Sequence, residues 1–406
     1  MILLRNVRLV DGTTDRPRPV EVLLEDGSVR ELSDGPLHAP GADVWDGGGR
    51  VVMPGLVDAH VHVVASTPDL ALNALLPNSL VAARAAGIMR DMLDRGFTTV
   101  RDVGGADWGL KQAQAEGAVA GPRLVISGKA LSQTGGHTDS RGRWDRRDRT
   151  YFDRQLGSLG RLVDGVPEVR RACREEIKEG ADFIKVMANG GVSSPTDPIV
   201  FLGFSREELG AAVEEAANAA TYVSAHLYTD EAIRRAVECG VHSVEHANLV
   251  EPPTARLMAE RGCVAVPTLV TYEALKEEGA SLGLPPVSVA KVDDVRLAGL
   301  RSLDILRSAG VTMAYGTDLL GAMHRHQSRE FTIRGQVLPA QEVIASALGV
   351  AARLLRLEGK VGTLEPGAHA DLLLLDGDPL ADLSVLADPA RMPVVMQAGR
   401  FVRNRL

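Results

Sequence analysis

Apolar, strand-like runs alternate with longer helix-compatible segments through most of this 406-residue chain. Two of the intervening segments open with sequences typical of helix starts, Ser205-Arg206-Glu207-Glu208 and Thr229-Asp230-Glu231. Eight such alternations predict an α/β fold of the (β/α)8 TIM barrel type. The eight runs are Leu56–His62, Phe97–Val103, Arg123–Ser132, Phe183–Asn189, Tyr222–Tyr228, Ser243–Asn248, Val264–Val270 and Val311–Asp318.

Short strand-like segments separated by Asp-Gly turns occupy both ends of the chain. Near the start, Leu3–Val10 and Val20–Leu24 are each followed by such a turn, and Asp371–Leu375 repeats the pattern near the end. We expect residues 1–56 and 360–406 to pair into one small β-sandwich-like domain. Residues 57–359 would then form the metal-dependent catalytic barrel.

The composition indicates which kinds of binding partner this protein has. A net charge of −8 and a pI near 5.7 argue against nucleic acid. Three cysteines without a CxxC pair are typical of a reducing compartment. The sequence has neither a signal-peptide pattern nor an apolar run long enough to span a bilayer. We therefore expect a cytoplasmic protein that acts on a small molecule, with no membrane partner.

Polar side chains stand where the predicted strands end, and this is the edge at which TIM barrels carry their active sites. His60 and His62 are two residues apart, so both imidazoles point to the same face of the first strand. Two imidazoles aimed at one point can bind a divalent metal ion. The other polar residues at strand ends are Asp102, Ser132, Lys185, His226, Tyr228, His246 and Asp318.

Each of these residues also has a purely structural interpretation. A histidine pair can lie on a solvated strand, and His226 and His246 can each be hydrogen-bonded structural residues. Asp318 can cap the next helix. Taken together, however, four imidazoles and one carboxylate at the same barrel mouth suit one or two zinc-like ions.

Lys185 distinguishes between these interpretations because it interrupts an apolar strand. Burying an ammonium ion without a partner is costly. Either the stem of Lys185 packs while its head reaches water, or chemistry removes the charge. A lysine carbamate carries two oxygens and could bridge two ions.

The segment from Pro54 to His62, followed in order by Lys185, His226, His246 and Asp318, resembles the amidohydrolase superfamily over essentially the whole chain. The resemblance implies two divalent metal ions, with zinc the expected metal. His60, His62 and Asp318 would bind the more buried ion, and His226 and His246 the other. Lys185, as a CO2-derived carbamate, would bridge both.

Three further segments resemble one branch of that superfamily, which holds Xaa-Pro and Xaa-Arg dipeptidases, N-acyl amino acid hydrolases and ochratoxin-type amidases. They are Gly135–Asp139, His226–Thr229, and Gly316–Leu320 continuing to Ser328. Thr138 departs from this pattern, because glycine often follows the histidine there. The branch implies hydrolysis of an amide whose nitrogen belongs to an amino acid, and it implies a homo-oligomer.

The ligand set gives a hypothesis for the mechanism. A metal-bridging hydroxide would attack the amide carbonyl. His137 and Tyr228 would donate hydrogen bonds to the oxyanion, and Asp318 would carry the proton to the leaving amine. His137 could instead be a solvated loop residue, and Tyr228 a packed tyrosine.

The substrate is less well specified by the sequence. Arginine suits recognition of a carboxylate, and the residues after the eighth strand could supply it or could form a solvated helix face: Arg325, His326 and Arg329. The charged segment 139–161 is either a lid or a subunit contact.

Three alternatives use the same residues differently. A mononuclear deaminase or a hydrolase of cyclic amides such as imidazolones would share the histidines and Asp318, but neither would need Lys185. A lactonase or esterase of the phosphotriesterase type would use the same binuclear site. A catalytically dead barrel acting as an assembly protein would have lost metal ligands, and this chain keeps every one that we identify.

Overall fold

The computed structural model describes residues 1–194 and 196–406. Strands from both ends of the chain lie in one eight-stranded sheet, in the order β18-β17-β16-β5-β1-β2-β3 with β4 also paired to β1. Their bounds are β1 Ile2–Leu9, β2 Arg18–Glu25, β3 Ser28–Ser33, β4 Asp43–Asp46, β5 Val51–Pro54, β16 Leu372–Leu375, β17 Val394–Gln397 and β18 Arg400–Asn404.

Strand β1 pairs with two different strands along its length. Its first half pairs with β4 and its second half with β5, on either side of a register shift between Leu4 and Val7. The two ends of the chain meet where β5 and β16 run antiparallel, with Met53 opposite Leu373. This pairing joins the two ends of the chain in one sheet. Strand β6, the first of the parallel strands, begins two residues after β5 ends.

The central part of the chain forms parallel strands in two sheets, one of order β6-β7-β8 and one of order β10-β9-β11-β12-β13-β14-β15. Backbone hydrogen bonds join the sheets at both edges, from Ala59 N–H to Tyr315 O (2.8 Å) and from Asp182 N–H to Ile126 O (2.7 Å). The bounds are β6 Leu56–Val61, β7 Phe97–Asp102, β8 Arg123–Ile126, β9 Ala130–Ser132, β10 Gly160–Leu162, β11 Ile184–Met187, β12 Val223–Thr229, β13 Ser243–Leu249, β14 Val264–Val266 and β15 Thr312–Met313.

Helices lie between these strands along the chain. In α5, Ser205 caps the helix and exchanges hydrogen bonds with Glu208, as the sequence predicted. The described helices are α1 Leu70–Asn73, α2 Asn78–Asp94, α3 Trp108–Ala115, α4 Val166–Lys178, α5 Arg206–Asn218, α6 Asp230–Glu238, α7 Pro252–Glu260, α8 Leu269–Ala274, α9 Pro286–Arg296, α10 Gly299–Ser308, α11 Arg329–Arg334, α12 Ala340–Ser346, α13 Gly349–Leu354 and α14 Ser384–Ala387. Within the described ranges, none of them has both the length and the apolar character needed to cross a bilayer.

The core between strands and helices explains which way the polar strand residues face. Ile184 and Val186 of β11 pack in one buried cluster with Leu209 and Ala212 of α5. Because side chains alternate along a strand, Lys185 points to the other side of the sheet, away from the helices. Packing of the apolar positions thus turns the lysine towards the face of the parallel strands that is opposite the helices.

Three of the predicted strands differ most from their sequence boundaries. The run 123–132 is broken into β8 and β9 at Ser127-Gly128-Lys129, where Gly128 has φ +67° and the carboxylate of Glu176 occupies the position of a side chain. The runs 264–270 and 311–318 shorten to three and two strand residues. In the last of these, the chain leaves the strand early and brings Asp318 next to β6.

Candidate metal centre and active site

A first group of possible metal ligands consists of His60, His62 and Asp318, whose ligand atoms all lie within 4.8 Å of one another. Nε2 of each histidine is 3.3 Å from Oδ1 of Asp318. Asp318 has φ +53°, and its N–H donates to the carbonyl of His60 (2.8 Å). The loop after β15 is therefore fixed against the end of β6, and this contact aims the carboxylate at both imidazoles.

The charge state of Asp318 suits metal binding. Burial alone would raise its pKa. In the metal-free protein, where His60 and His62 can carry protons on Nε2, the charge of His60 and hydrogen bonds from both rings hold that pKa well below its usual range. The side chain is therefore an ionised carboxylate, the form in which aspartate binds a cation.

His226 and His246 form the second group, with Nδ1 of His226 only 2.9 Å from Nε2 of His246. The other nitrogens are engaged, His246 Nδ1 with Thr268 Oγ1 (2.8 Å) and His226 Nε2 with Gly190 O (3.4 Å). Burial lowers the pKa of both histidines well below the usual value, and neighbouring histidines add to this effect. If Gly190 and Thr268 take the N–H groups, two imidazole lone pairs face each other, which favours a cation between them.

Lys185 lies deep in the same place and is 1% exposed. Among the described residues, its Nζ has no hydrogen-bond partner. Burial lowers the pKa of Lys185 to about 8, so its amine loses its proton far more readily than an exposed lysine. An orphaned, easily neutralised amine between two histidine groups fits a lysine that chemistry converts to a carbamate.

All six predicted metal ligands line one small cavity of about 30 Å³, together with His137 and Tyr228. That volume holds about two water molecules. Much of the remaining wall is apolar, with Leu70, Leu159, Met187, Leu275 and Leu320.

His137 and Tyr228 flank the second histidine group. The His137 ring stacks on His226 with 4.2 Å between centroids, and the Tyr228 ring meets His226 edge-on at 4.6 Å. The hydroxyl of Tyr272 donates to the Tyr228 oxygen (3.1 Å). Since that oxygen is already an acceptor, the Tyr228 proton is free to be donated to a group in the cavity.

The structure does not bring the predicted carboxylate-binding residues to this cavity. Arg325 and His326 both pair with Glu278, while Arg329 makes a two-pronged pair with Glu277 at 2.8 and 2.9 Å. None of the three lines the cavity wall. Their role in substrate binding therefore stays a prediction, without support from this geometry.

Comparison with known proteins identifies the family of this chain. A model of the amidohydrolase family matches residues 51–402. The chain belongs to the amidohydrolase family. The match confirms the resemblance seen in the sequence, and this amidohydrolase is a hydrolase of carbon–nitrogen bonds.

Relatives of this amidohydrolase include enzymes of the expected branch. An ochratoxinase of Aspergillus niger is 33% identical over 376 residues, covering 87% of this chain and 76% of its own. The solved structure of a prolidase in complex with N-methylphosphonate-L-proline is 49% identical, covers all of both chains and superposes with a TM-score of 0.98. A Xaa-Pro dipeptidase with bound methionine is 29% identical, covering 98% of this chain and 99% of its own, with a TM-score of 0.86.

Sequence reasoning missed the residues that hold the ligands of this amidohydrolase in place. Glu245 accepts a hydrogen bond from His60 Nδ1 (2.7 Å), and the Gly104 carbonyl lies 2.9 Å from His62 Nδ1. Arg101, which donates to Glu245 (2.8 Å), is a fully buried charge within β7, as Lys185 is within β11. A charged residue inside a predicted strand was a readable signal, whereas a backbone carbonyl leaves none in a sequence.

Proposed function

We propose that this amidohydrolase cleaves the amide bond of an N-acyl amino acid, a dipeptide or an ochratoxin-like amide, using two divalent metal ions. The observation that carries the proposal is the facing pair His226 Nδ1 and His246 Nε2, 2.9 Å apart beside the unpartnered amine of Lys185. An unpartnered buried amine is costly, and two imidazoles whose lone pairs face each other favour a cation between them. The ochratoxinase and the Xaa-Pro dipeptidase among its relatives support the choice of bond.

We also infer that the parallel strands close into a (β/α)8 barrel. The hydrogen bonds that join the two sheets at both edges support closure, and the ligands gather at the carboxyl ends of the strands. Residues 57–359 would be this barrel, and the terminal sheet would be the small second domain.

The ligands divide into two sets and a bridge. His60, His62 and Asp318 would hold one ion, His226 and His246 the other, and a carbamate on Lys185 would bridge them. When bound, such ions acidify a water molecule and polarise an amide carbonyl. Nitrogen and carboxylate ligands of this kind suit zinc first.

The residues of the chain then handle the protons and the developing charge. Asp318, ionised by its low pKa, accepts the proton of the attacking water and passes it to the leaving nitrogen. Tyr228 donates a hydrogen bond to the oxygen of the tetrahedral intermediate. His137 adds a second one only when its ring is doubly protonated, because Nδ1 already donates its proton to Ser194. The leucines and Met187 of the wall exclude water and favour substrates with apolar, uncharged groups beside the scissile bond.

The test combines metal content with a substrate screen. Protein expressed with bicarbonate is analysed for metal as wild type and Lys185→Ala, and both are assayed on N-acyl amino acids and dipeptides. We expect about two ions per chain in the wild type, a sharp fall in the variant, and turnover of apolar substrates by the wild type only. One ion per chain, unchanged by Lys185→Ala, would overturn the bridged site and favour a deaminase or cyclic-amide hydrolase.

A further inference from the structure

The orientation of the His137 ring depends on contacts outside the metal ligands. Its Nδ1 is 3.0 Å from Oγ of Ser194, on the segment between β11 and α5. Within the described ranges, Nε2 has no hydrogen bond, and the ring lines the cavity. The contact at Nδ1 therefore restrains the rotation of the ring that lines the cavity.

Ser194 is itself held by a buried carboxylate. Its Oγ hydrogen-bonds Oδ1 of Asp197, and Oδ2 of Asp197 accepts the N–H of Gly191 (3.1 Å). Ser194 is 2% exposed and Asp197 is 1% exposed. Burying these polar groups costs free energy unless they are bonded to one another. The three side chains thus form a continuous chain from Asp197 through Ser194 to His137.

Lys291 of α9 anchors the segment that carries this chain of hydrogen bonds. Its ammonium group donates to the carbonyls of Gly191, Ser194 and Asp197, at 2.8, 2.8 and 2.9 Å. These three bonds use all the donors that a lysine has. The carbonyls of Gly191, Ser194 and Asp197 are therefore bonded to α9, and the serine hydroxyl has little freedom to follow a moving ring.

The backbone of Gly191 lies directly against the imidazole ring of His137. A Cβ atom there would lie 1.8 Å from Nδ1 of His137, so the imidazole packs directly on a bare backbone. The ring is enclosed by this backbone, by His226 on one face and by Ser194 at its edge. Such close support is what an active-site group needs to hold a productive geometry.

We propose that Ser194 and Asp197 are positioning residues for His137, fixing the plane of its ring with Nε2 directed at the substrate. This inference rests on the proposed function. Neither residue touches the reacting atoms, and both act through the imidazole.

A double-mutant cycle in the metal-loaded enzyme tests this coupling. The four forms are wild type, Ser194→Ala, His137→Ala and the double variant, compared by kcat and KM on the best apolar substrate. A misplaced catalytic group costs on the order of tenfold to a hundredfold in rate. We expect Ser194→Ala to lower kcat on that scale in the wild type and less than about twofold when His137 is already absent. Equal losses in both backgrounds would overturn the proposal.

Two controls separate positioning from general damage. Ser194→Thr keeps the hydroxyl and should recover most of the lost kcat. Thr196→Ala alters an exposed hydroxyl of the same segment, whose nearest partner is Gly135 O at 3.5 Å, and should leave kcat and metal content unchanged. If Thr196→Ala were as harmful as Ser194→Ala, the segment and not the hydrogen bond would be responsible.

A crystallographic comparison needs no turnover, so it tests the inference even if the proposed function fails. Structures of the wild type and Ser194→Ala are compared at the His137 ring. We expect one orientation in the wild type and a rotated or split ring in the variant. An unmoved, fully occupied ring in Ser194→Ala would refute the positioning role. Absence of amide hydrolysis in the wild type with a split ring in the variant would refute only the proposed reaction.

Discussion

Nδ1 of His60 lies 2.7 Å from Oε2 of Glu245, a residue with no exposed surface. The other carboxylate oxygen of Glu245 accepts from Arg101 (2.8 Å) and from two serine hydroxyls. Burial alone would raise the pKa of Glu245, but the charges of Arg101 and Lys185, together with the hydrogen bond and charge of His60, hold that pKa well below its usual range. The carboxylate therefore keeps the His60 proton on Nδ1 and leaves the Nε2 lone pair for a metal ion.

Replacing Glu245 with glutamine should weaken metal binding. Loss of such a partner typically costs 10–100-fold in metal affinity or activity, on the order expected here. Competition with a chelator measures the affinity, and Glu251→Gln, at an exposed glutamate before α7, is the matched control. Unchanged affinity in Glu245→Gln would show that Glu245 serves only to neutralise Arg101.

Lys185 should destabilise the metal-free, CO2-free protein at neutral pH. Its pKa falls from 10.5 to about 8 in the folded state, which corresponds to about 3 kcal/mol at 1.4 kcal/mol per unit. Because the unfolded chain binds this proton more tightly, stability should rise with pH between about 8 and 10.5. The penalty should be complete below pH 8.

Chemical denaturation of Lys185→Met checks this expectation. The variant should be more stable than the wild type at pH 7, and the difference should shrink towards pH 10. The exposed Lys178→Met serves as the control, and its difference from wild type should not change with pH. A Lys185→Met variant that is less stable at pH 7 would mean that the ammonium has a favourable partner.

Strand periodicity predicts where the side chains within a strand point, but not where those at or beyond its end point. His60 and His62 share a face because they are two residues apart. His246 has φ +71° and Ala247 φ +55°, so the chain leaves strand geometry there and alternation no longer says where the imidazole points. Asp318 lies in the loop that follows β15, which ends at Met313. Their order along the chain, matched to a family, identified them where periodicity could not.

Ion-pair and hydrogen-bond partners that are distant along the chain could not be predicted from the sequence either. Arg325 and Arg329 had the right chemistry for a carboxylate, and they did find carboxylates, those of Glu278 and Glu277 in the turn Leu275–Gly279. No local pattern links residues about fifty positions apart. The same limit applies to Ser194 and Asp197, whose hydrogen bonds to one another became visible only with the fold.

Tyr228→Phe should lower kcat strongly and KM little. Removing one donor to a developing oxyanion costs about 10²–10³ in kcat. Tyr272→Phe should cost much less, because Tyr228 keeps its own hydroxyl and loses only the hydrogen bond that orients it (3.1 Å). Steady-state kinetics of both variants, with metal content measured in parallel, checks the order. Equal losses would instead indicate that both hydroxyls contact the substrate.

Arg329→Met decides whether the arginines after β15 bind the substrate carboxylate. The guanidinium is already paired with Glu277 at the surface, and such exposed pairs contribute about 0–1 kcal/mol. We therefore expect Tm within a few degrees of wild type and KM for an N-acyl amino acid changed less than about twofold. The matched variant Arg307→Met breaks a similar surface pair with Glu342 and should behave alike. A KM at least tenfold higher in Arg329→Met alone would mean that the arginine exchanges Glu277 for the substrate carboxylate, because the two acceptors offer the same bidentate geometry.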